Sequence, residues 1–388
     1  MTYRTMLLLI PVFLLHIGFS QAQIVAGQSR SMHSNILDED RSYQISLPAS
    51  YKWAPERKYP VLFLLDGESH FLHTAGSTDF LSSQGEIPEC IIVAITSTVR
   101  IRDFTQTDWS SHWFGGGGAQ NFKRFLAEEL IPVINRDFRS NGFRILSGHS
   151  AGGQFVLYVL SSEPSLFNAY FAISPDLTWD DHLPQRSLEE SFLHTDSLKA
   201  FLYFAWSDDL GQALADDKKI VETLERGSPK GFRWIGKGYP NETHGSISLL
   251  AHIDALRQLY TGYRFHDDLL EKGFAYADRH FQEVSSTVGY AIPVPEAVVN
   301  NFGYEALNNE NIDEAIALFK RNIDQNPNSV NAFDSIADAY EQAGMWKNAE
   351  AAIARAVELA NEFDHPNRDD IMRHALKLKA KSDDARAK

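Results

Sequence analysis

The chain predicts an α/β fold, a mostly parallel sheet covered by helices on both faces, followed by a small all-α unit. Three observations carry this. Short apolar runs, several of them apolar nearly throughout, recur along the first two thirds: "SYQISLP", "PVLFLLDG", "IIVAIT", "FRILSG", "AYFAIS", "FLYFAWS" and "FRWIGKGYP". Strands of that kind bury both faces, as strands of a helix-covered parallel sheet do. Amphipathic stretches separate several of them, such as "AQNFKRFLAEELIPVI", in which Phe122, Phe125, Leu126 and Leu130 share one helical face. The last quarter is Ala-rich and helical, with a period of 34 residues.

In chain order, the opening "MTYRTMLLLIPVFLLHIGFSQAQ" reads as a leader over residues 1–22. Arg4 supplies the positive start, Met6 to Phe19 the apolar run, and Ser20-Gln21-Ala22 the cleavage site. A comfortable membrane span needs about 20 residues, and this run is shorter. The expectation is an exported protein, periplasmic or secreted, starting near Gln23, without a lipid anchor and without a membrane span in the mature form. Residues 23–265 make the α/β domain, whose first strands have no helices between them and so form an antiparallel edge. Residues 266–295 are a helical joint, and "STVGYAIPVPEAVV", with its two prolines, runs across its end.

Residues 296–362 carry two tetratricopeptide-like repeats. Gly303, Ala315, Phe319 and Pro327 stand at the expected places of the first, and Tyr340, Gly344, Ala349, Ile353 and Ala356 at those of the second. Ala306 and Glu310 depart from the pattern, where an aromatic and a glycine are usual. Two repeats are too few to stack alone. They need the first domain, the closing helix of residues 363–388, or a second copy as support, and they offer a surface for a homodimer or a protein partner.

Bulk composition narrows the function classes. The 388 residues are 44% hydrophobic and 22% charged, with a net charge of −15. An acidic chain without a dense Lys/Arg stripe is not built for nucleic acid. Cys90 is the sole cysteine, so an intramolecular disulfide is excluded and a thiolate metal site is not expected. His70 and His73 stand three apart with no converging ligands in the sequence, and no metal site is expected there.

The stretch "FRILSGHSAGGQFVLYVLSS" carries the chemistry. A strand runs into Gly148-His149-Ser150-Ala151-Gly152 and a helix follows at once. A serine on so tight a turn needs small neighbours, which Gly148 and Gly152 supply, and the turn exposes its hydroxyl beside the new helix's free N–H groups. Ser150 is therefore the nucleophile; His149 is assigned no chemistry. The base must follow in the order Ser, acid, His, and His244 in "GKGYPNETHGSISLLAHI" lies between a strand and a helix as required. Asp208 and Asp209 follow the strand "FLYFAWS". Asp209 is favoured as the acid over Asp208, with Glu242 a third candidate and helix capping a competing use. A serine–histidine dyad stays open. The backbone N–H groups of Ala151 and Glu68 are the expected oxyanion donors, with Gly67 permitting close approach.

The runs "YPVLFLLDGESHF", "RIRDFTQT", "LSGHSAGG", "ISPDLTW" and "YPNETHGS" together resemble the esterase family of α/β-hydrolases that includes esterase D-like and siderophore (enterobactin-type) esterases. The resemblance covers residues 35 to about 263, and the tetratricopeptide tail resembles that of certain bacterial members. It implies an α/β-hydrolase fold and hydrolysis of carboxylic esters, with Ser150 and His244 on the catalytic serine and histidine. Trp206-Ser207 stands where the family usually has a glycine, so the alignment of Asp208 and Asp209 is open.

Weaker signals surround this site. "WFGGGGAQNF" lacks the ending of a phosphate loop and reads as a flexible rim. Trp113 and Trp179 are candidates to line a substrate pocket, or to pack. Arg102, with Arg100 and Asp103, either braces the entrance or grips an anionic substrate. The expected function is an exported serine hydrolase that cleaves carboxylic esters through an acyl-enzyme and needs no cofactor. Its substrate would be a small-molecule ester, siderophore-type lactones and acyl or saccharide esters being the classes to try. An acyltransferase on the same site, or a non-catalytic binding protein acting through the repeats, are the alternatives.

Overall fold

The structure, a computed structural model, describes residues 25–110 and 115–387. The leader and Trp113 lie outside them. Eight strands form one sheet: β1 (Gln28–Ser34), β2 (Glu39–Ser46), β3 (Tyr59–Leu64), β4 (Ile91–Ile95), β5 (Ser140–His149), β6 (Ala169–Ile173), β7 (Phe201–Trp206) and β8 (Arg233–Gly238), in the order 1-2-4-3-5-6-7-8. β1 and β2 pair antiparallel, as does β2 with β4, and the other pairs are parallel. The antiparallel edge follows from the chain order, since β1 and β2 are joined by a short turn, too short for a parallel crossover.

Helices fill the crossovers: α1 (Gly67–Ser83), α2 (Arg100–Phe104), α3 (Ala119–Arg124), α4 (Ile131–Asp137), α5 (Ala151–Ser162), α6 (Trp179–Leu193), α7 (Gly211–Gly227) and α8 (Ile247–Leu259). β3, β4 and β6 are buried along their whole length. Alternate residues therefore feed two cores: Leu62 and Leu64 on one face, Val61, Phe63 and Leu65 on the other. The helix expected over "AQNFKRFLAEELIPVI" is interrupted. Between α3 and α4 runs a π turn, Phe125–Leu130. Pro132 has no N–H to give the preceding turn and its ring crowds the carbonyl four residues back, so the turn widens. The predicted apolar face survives, with Phe122, Phe125, Leu126 and Leu130 all buried.

The remainder is helical: α9 (Phe274–Val288), α10 (Glu296–Asn308), α11 (Ile312–Gln325), α12 (Val330–Gln342), α13 (Trp346–Glu362) and α14 (Arg368–Ala387). Small residues set the spacing of this tail. A Cβ on Gly303 of α10 would lie 2.3 Å from the ring of Phe319 on α11, and Ala315, Ala349 and Ala356 are fully buried. Helices beneath one sheet face and the tail share a single apolar cluster that runs from Ile92 and Phe143 through Leu259 and Phe281 to Phe319 and Leu378.

Candidate active site

Strand register brings the chemistry together. His149 at the end of β5 pairs with Ile173 at the end of β6, and Ile173 pairs with Ala205 of β7. The residues just beyond those ends, Ser150, Ser174 and Ser207, therefore gather at the carboxyl edge of the sheet, where open α/β sheets hold their ligands.

Ser150 has φ 59° and ψ −122° and caps α5. A non-glycine residue held at positive φ is costly and persists only where the surroundings enforce it. Here they do. Ser150 N–H donates to the Ile173 carbonyl at 3.0 Å, and a Cβ on Gly148 would fall 2.4 Å from the backbone of Gly152, so only glycine fits there.

The other wall is the turn after β3. Asp66 caps α1 with φ 53°, and its carbonyl accepts the N–H groups of Ser69 and His70 at 2.9 and 3.1 Å. The earlier donors of α1, including Glu68 N–H, belong to the first turn, which makes no intrahelical bonds. A Cβ on Gly67 would meet Ala94 at 2.8 Å, and one on Gly152 would lie 3.2 Å from the Asp66 carboxylate. The start of α5 thus lies in van der Waals contact with the turn that opens α1. Arg100 locks this arrangement: its guanidinium forks onto Asp66 at 2.8 and 3.0 Å and donates to the His149 carbonyl at 3.0 Å. Ser97 Oγ adds a bond to Asp66 at 2.6 Å.

His244 lies in the loop between β8 and α8, exposed. Its ring packs 4.6 Å from that of His149, and its carbonyl accepts a hydrogen bond from His149 Nε2 at 2.6 Å. The residue to which sequence reasoning gave no chemistry is thus the one that ties the His244 loop to the turn at Ser150. Burial, then the neighbouring His244, pushes His149 down to about 4, so it stays neutral with its proton on Nε2. His244 Nδ1 meets Ser174 Oγ at 3.1 Å.

The carboxylate candidates separate. Asp209 is half-buried and accepts from Ser207 Oγ at 2.8 Å and Ser207 N–H at 3.2 Å. Asp208 is exposed, and its N–H donates to the Glu242 carbonyl at 2.9 Å. Glu242 accepts from Ser246 Oγ at 2.6 Å and so fastens the start of α8.

Of the pocket candidates, Trp179 is buried, donates from Nε1 to Thr107 Oγ1 at 3.1 Å and meets Trp109 edge-on at 5.2 Å. Arg102 forks onto Glu39 at 2.6 and 3.2 Å and reaches Asp103 at 2.8 Å. Asp103 is itself buried against Arg41, which makes the bracing use of Arg102 the one the geometry fills.

His70 and His73 do have ring neighbours that the sequence did not reveal. His70 lies 5.5 Å from His149, and His73 lies 5.5 Å from His252. The nitrogens of His252 are spent, one on Ser147 Oγ and the other on the Ser248 carbonyl, both at 2.7 Å. Burial holds His70 and His252 below the usual range and His73 at about 4. Among the described residues, metal-like spacing occurs at Asp338, Glu341 and His374 in the tail. There His374 already pairs with Asp334 at 2.6 Å and Asp338 at 3.3 Å.

The chain is similar to known proteins over its α/β domain. Residues 34–216 match the family described as "Putative esterase". That match takes in Ser150 but ends before His244. The ferri-bacillibactin esterase BesA of Bacillus subtilis (strain 168) is 35% identical over 186 residues, which are 42% of this chain and 63% of that protein. The chain thus spans a little under two thirds of that curated relative. An IroE-like serine hydrolase of Shewanella oneidensis has a similar structure, with a TM-score of 0.66 at 28% identity over 73% of this chain and 95% of its own. An uncharacterised protein of Capnocytophaga ochracea DSM 7271 shares the fold over 91% of this chain and 99% of its own, with a TM-score of 0.59 at 17% identity. Among the described residues, no helix is long and apolar enough to cross a membrane.

Proposed function

We propose that the protein is an exported serine esterase acting on siderophore esters. The observation that carries the reading is Ser150 itself, forced to φ 59° between β5 and α5 while the elbow's own His149 holds the His244 loop at 2.6 Å. In this mechanism Ser150 Oγ attacks the ester carbonyl as its proton passes to His244 Nε2. The N–H groups of Ala151 and Glu68 receive the oxyanion, which preorganised backbone dipoles stabilise strongly. Collapse expels the alcohol, which takes the proton back from Nε2. Water then enters by the same base and releases the acid. The likeness to a ferri-bacillibactin esterase supports the substrate class, and the leader-like opening of the sequence supports export.

The test is labelling of residues 23–388 by a fluorophosphonate, beside Ser150→Ala and His244→Ala. Rapid labelling of the wild type that is abolished in the first and slowed at least ~1,000-fold in the second is expected, the scale at which losing a triad member acts. A folded wild type that does not label overturns the reading. Siderophore lactones, acyl-saccharide esters and short acyl esters then rank the substrates.

A further inference from the structure

Among the described residues, His244 has no carboxylate on its Nδ1, yet a carboxylate closes the chain of bonds that begins there. Asp209 only accepts when ionised. Ser207 Oγ donates to it at 2.8 Å, so the Ser207 oxygen is left to accept. Ser174 Oγ lies 3.3 Å from that oxygen and can only give its proton to it. Ser174 is then an acceptor for His244 Nδ1–H at 3.1 Å. Every donor in the chain points toward Asp209, and one tautomer of His244 is selected: proton on Nδ1, lone pair on Nε2. Both hydroxyls are buried, so water does not compete for them.

We propose that Ser174 and Ser207 form a hydroxyl relay through which Asp209 orients His244 and stabilises its cation, making all three positioning residues for the proposed hydrolysis. No proton crosses the relay. Each hydroxyl keeps its own hydrogen while the bonds shorten as His244 becomes an imidazolium, as catalytic contacts do on leaving the resting state. The fold supports the assignment. Ser174 is held at φ 41°, its N–H donates to the Ala205 carbonyl at 2.7 Å, and Ser207 N–H also reaches Asp209. The Trp206-Ser207 pair, which breaks the family's glycine pattern, is thus the place where the relay serine enters.

The inference rests on the serine-hydrolase reading, and a double-mutant cycle separates the two. Fluorophosphonate labelling and hydrolysis of p-nitrophenyl butyrate would be measured for wild type, Ser174→Ala, Asp209→Asn and the double variant. Each single variant should lose about 10- to 100-fold in kcat at nearly constant KM. The double variant should lose no more than the worse single one, because either change opens the same chain. Multiplying losses overturn the relay and leave the hydrolase standing, whereas a folded wild type that does not label overturns the hydrolase first.

Two readouts lie beyond a merely structural role. The downfield Nδ1–H proton resonance of His244 should move in Asp209→Asn, three bonds of the relay away. Ser174→Asp should place a carboxylate directly on Nδ1 and restore kcat in the Asp209→Asn background, since aspartate tolerates positive φ better than most residues. An unmoved resonance, or no rescue by a folded Ser174→Asp variant, would falsify the assignment.

Discussion

Asp217 stands behind Asp209 on α7, buried, and burial together with Asp209 and Asp216 pushes its carboxyl up to about 7. An unfolded aspartate ionises near 4, so between about pH 4 and 7 the unfolded chain gives up a proton that the folded chain keeps. Folded stability therefore falls as pH rises through that window. Asp217→Asn, neutral at every pH, should match wild type below pH 4 and exceed it by about 2–4 kcal/mol above pH 7. Urea denaturation at pH 4, 6 and 8 measures the gap, and a constant difference across the three would contradict it. At this scale the sequence shows Ser150 and His244, because chain order and the glycine spacing around the elbow are local patterns. Ser174, Ser207 and His149 were not legible. Their partners are set by the register of β5, β6 and β7 and by where the β8–α8 loop folds back, and a serine or histidine carries no mark of either.

Elements were readable where a residue's periodicity agrees with its burial on both faces. β3, β4 and β6 are apolar without alternation and all lie in the parallel part of the sheet. β1 was missed as a separate strand because its run QSRSMHS is polar and mostly exposed. The π turn was hidden because a widened turn keeps the same residues inward. In the tail, the glycine read as a close-packing position behaves as one. Gly303 of α10 meets Phe319 of α11, a fully buried ring that cannot swing away. Gly303→Ala should part the two helices and lower stability by about 1–3 kcal/mol, the scale of overpacking, partly offset by alanine's better helix propensity. Thermal denaturation should show the loss while fluorophosphonate labelling at 25 °C stays at the wild-type rate. An unchanged melting temperature would mean the crossing has slack that the structure does not show.

For the whole molecule, the question is whether the tail is an appendage or part of the fold. Ring contacts cross the joint: Phe143 of β5 lies 4.8 Å from Tyr290, and Tyr263 lies 5.9 Å from Phe281. Tyr260 is almost wholly buried there. Polar contacts follow the same seam, with Arg57 bonded to Glu89 at 3.0 Å and to Asn326 at 2.6 Å, while Trp53 meets His365 edge-on at 5.3 Å. The helical tail thus rests on the sheet's own helix layer. Removing the tail would uncover Phe143, Tyr260 and Tyr263, which face Tyr290 and Phe281, a patch of the kind soluble monomers rarely expose. Each large apolar side chain so exposed forfeits roughly 1.5–3 kcal/mol, and a few of them amount to most of a domain's net stability. A chain ended after residue 265 should therefore be recovered aggregated or bind a hydrophobic dye. The full chain should melt in one calorimetric transition whose van't Hoff and calorimetric enthalpies agree. Two separate transitions, or a soluble and active truncated domain, would show the seam to be a docking contact between units that fold independently.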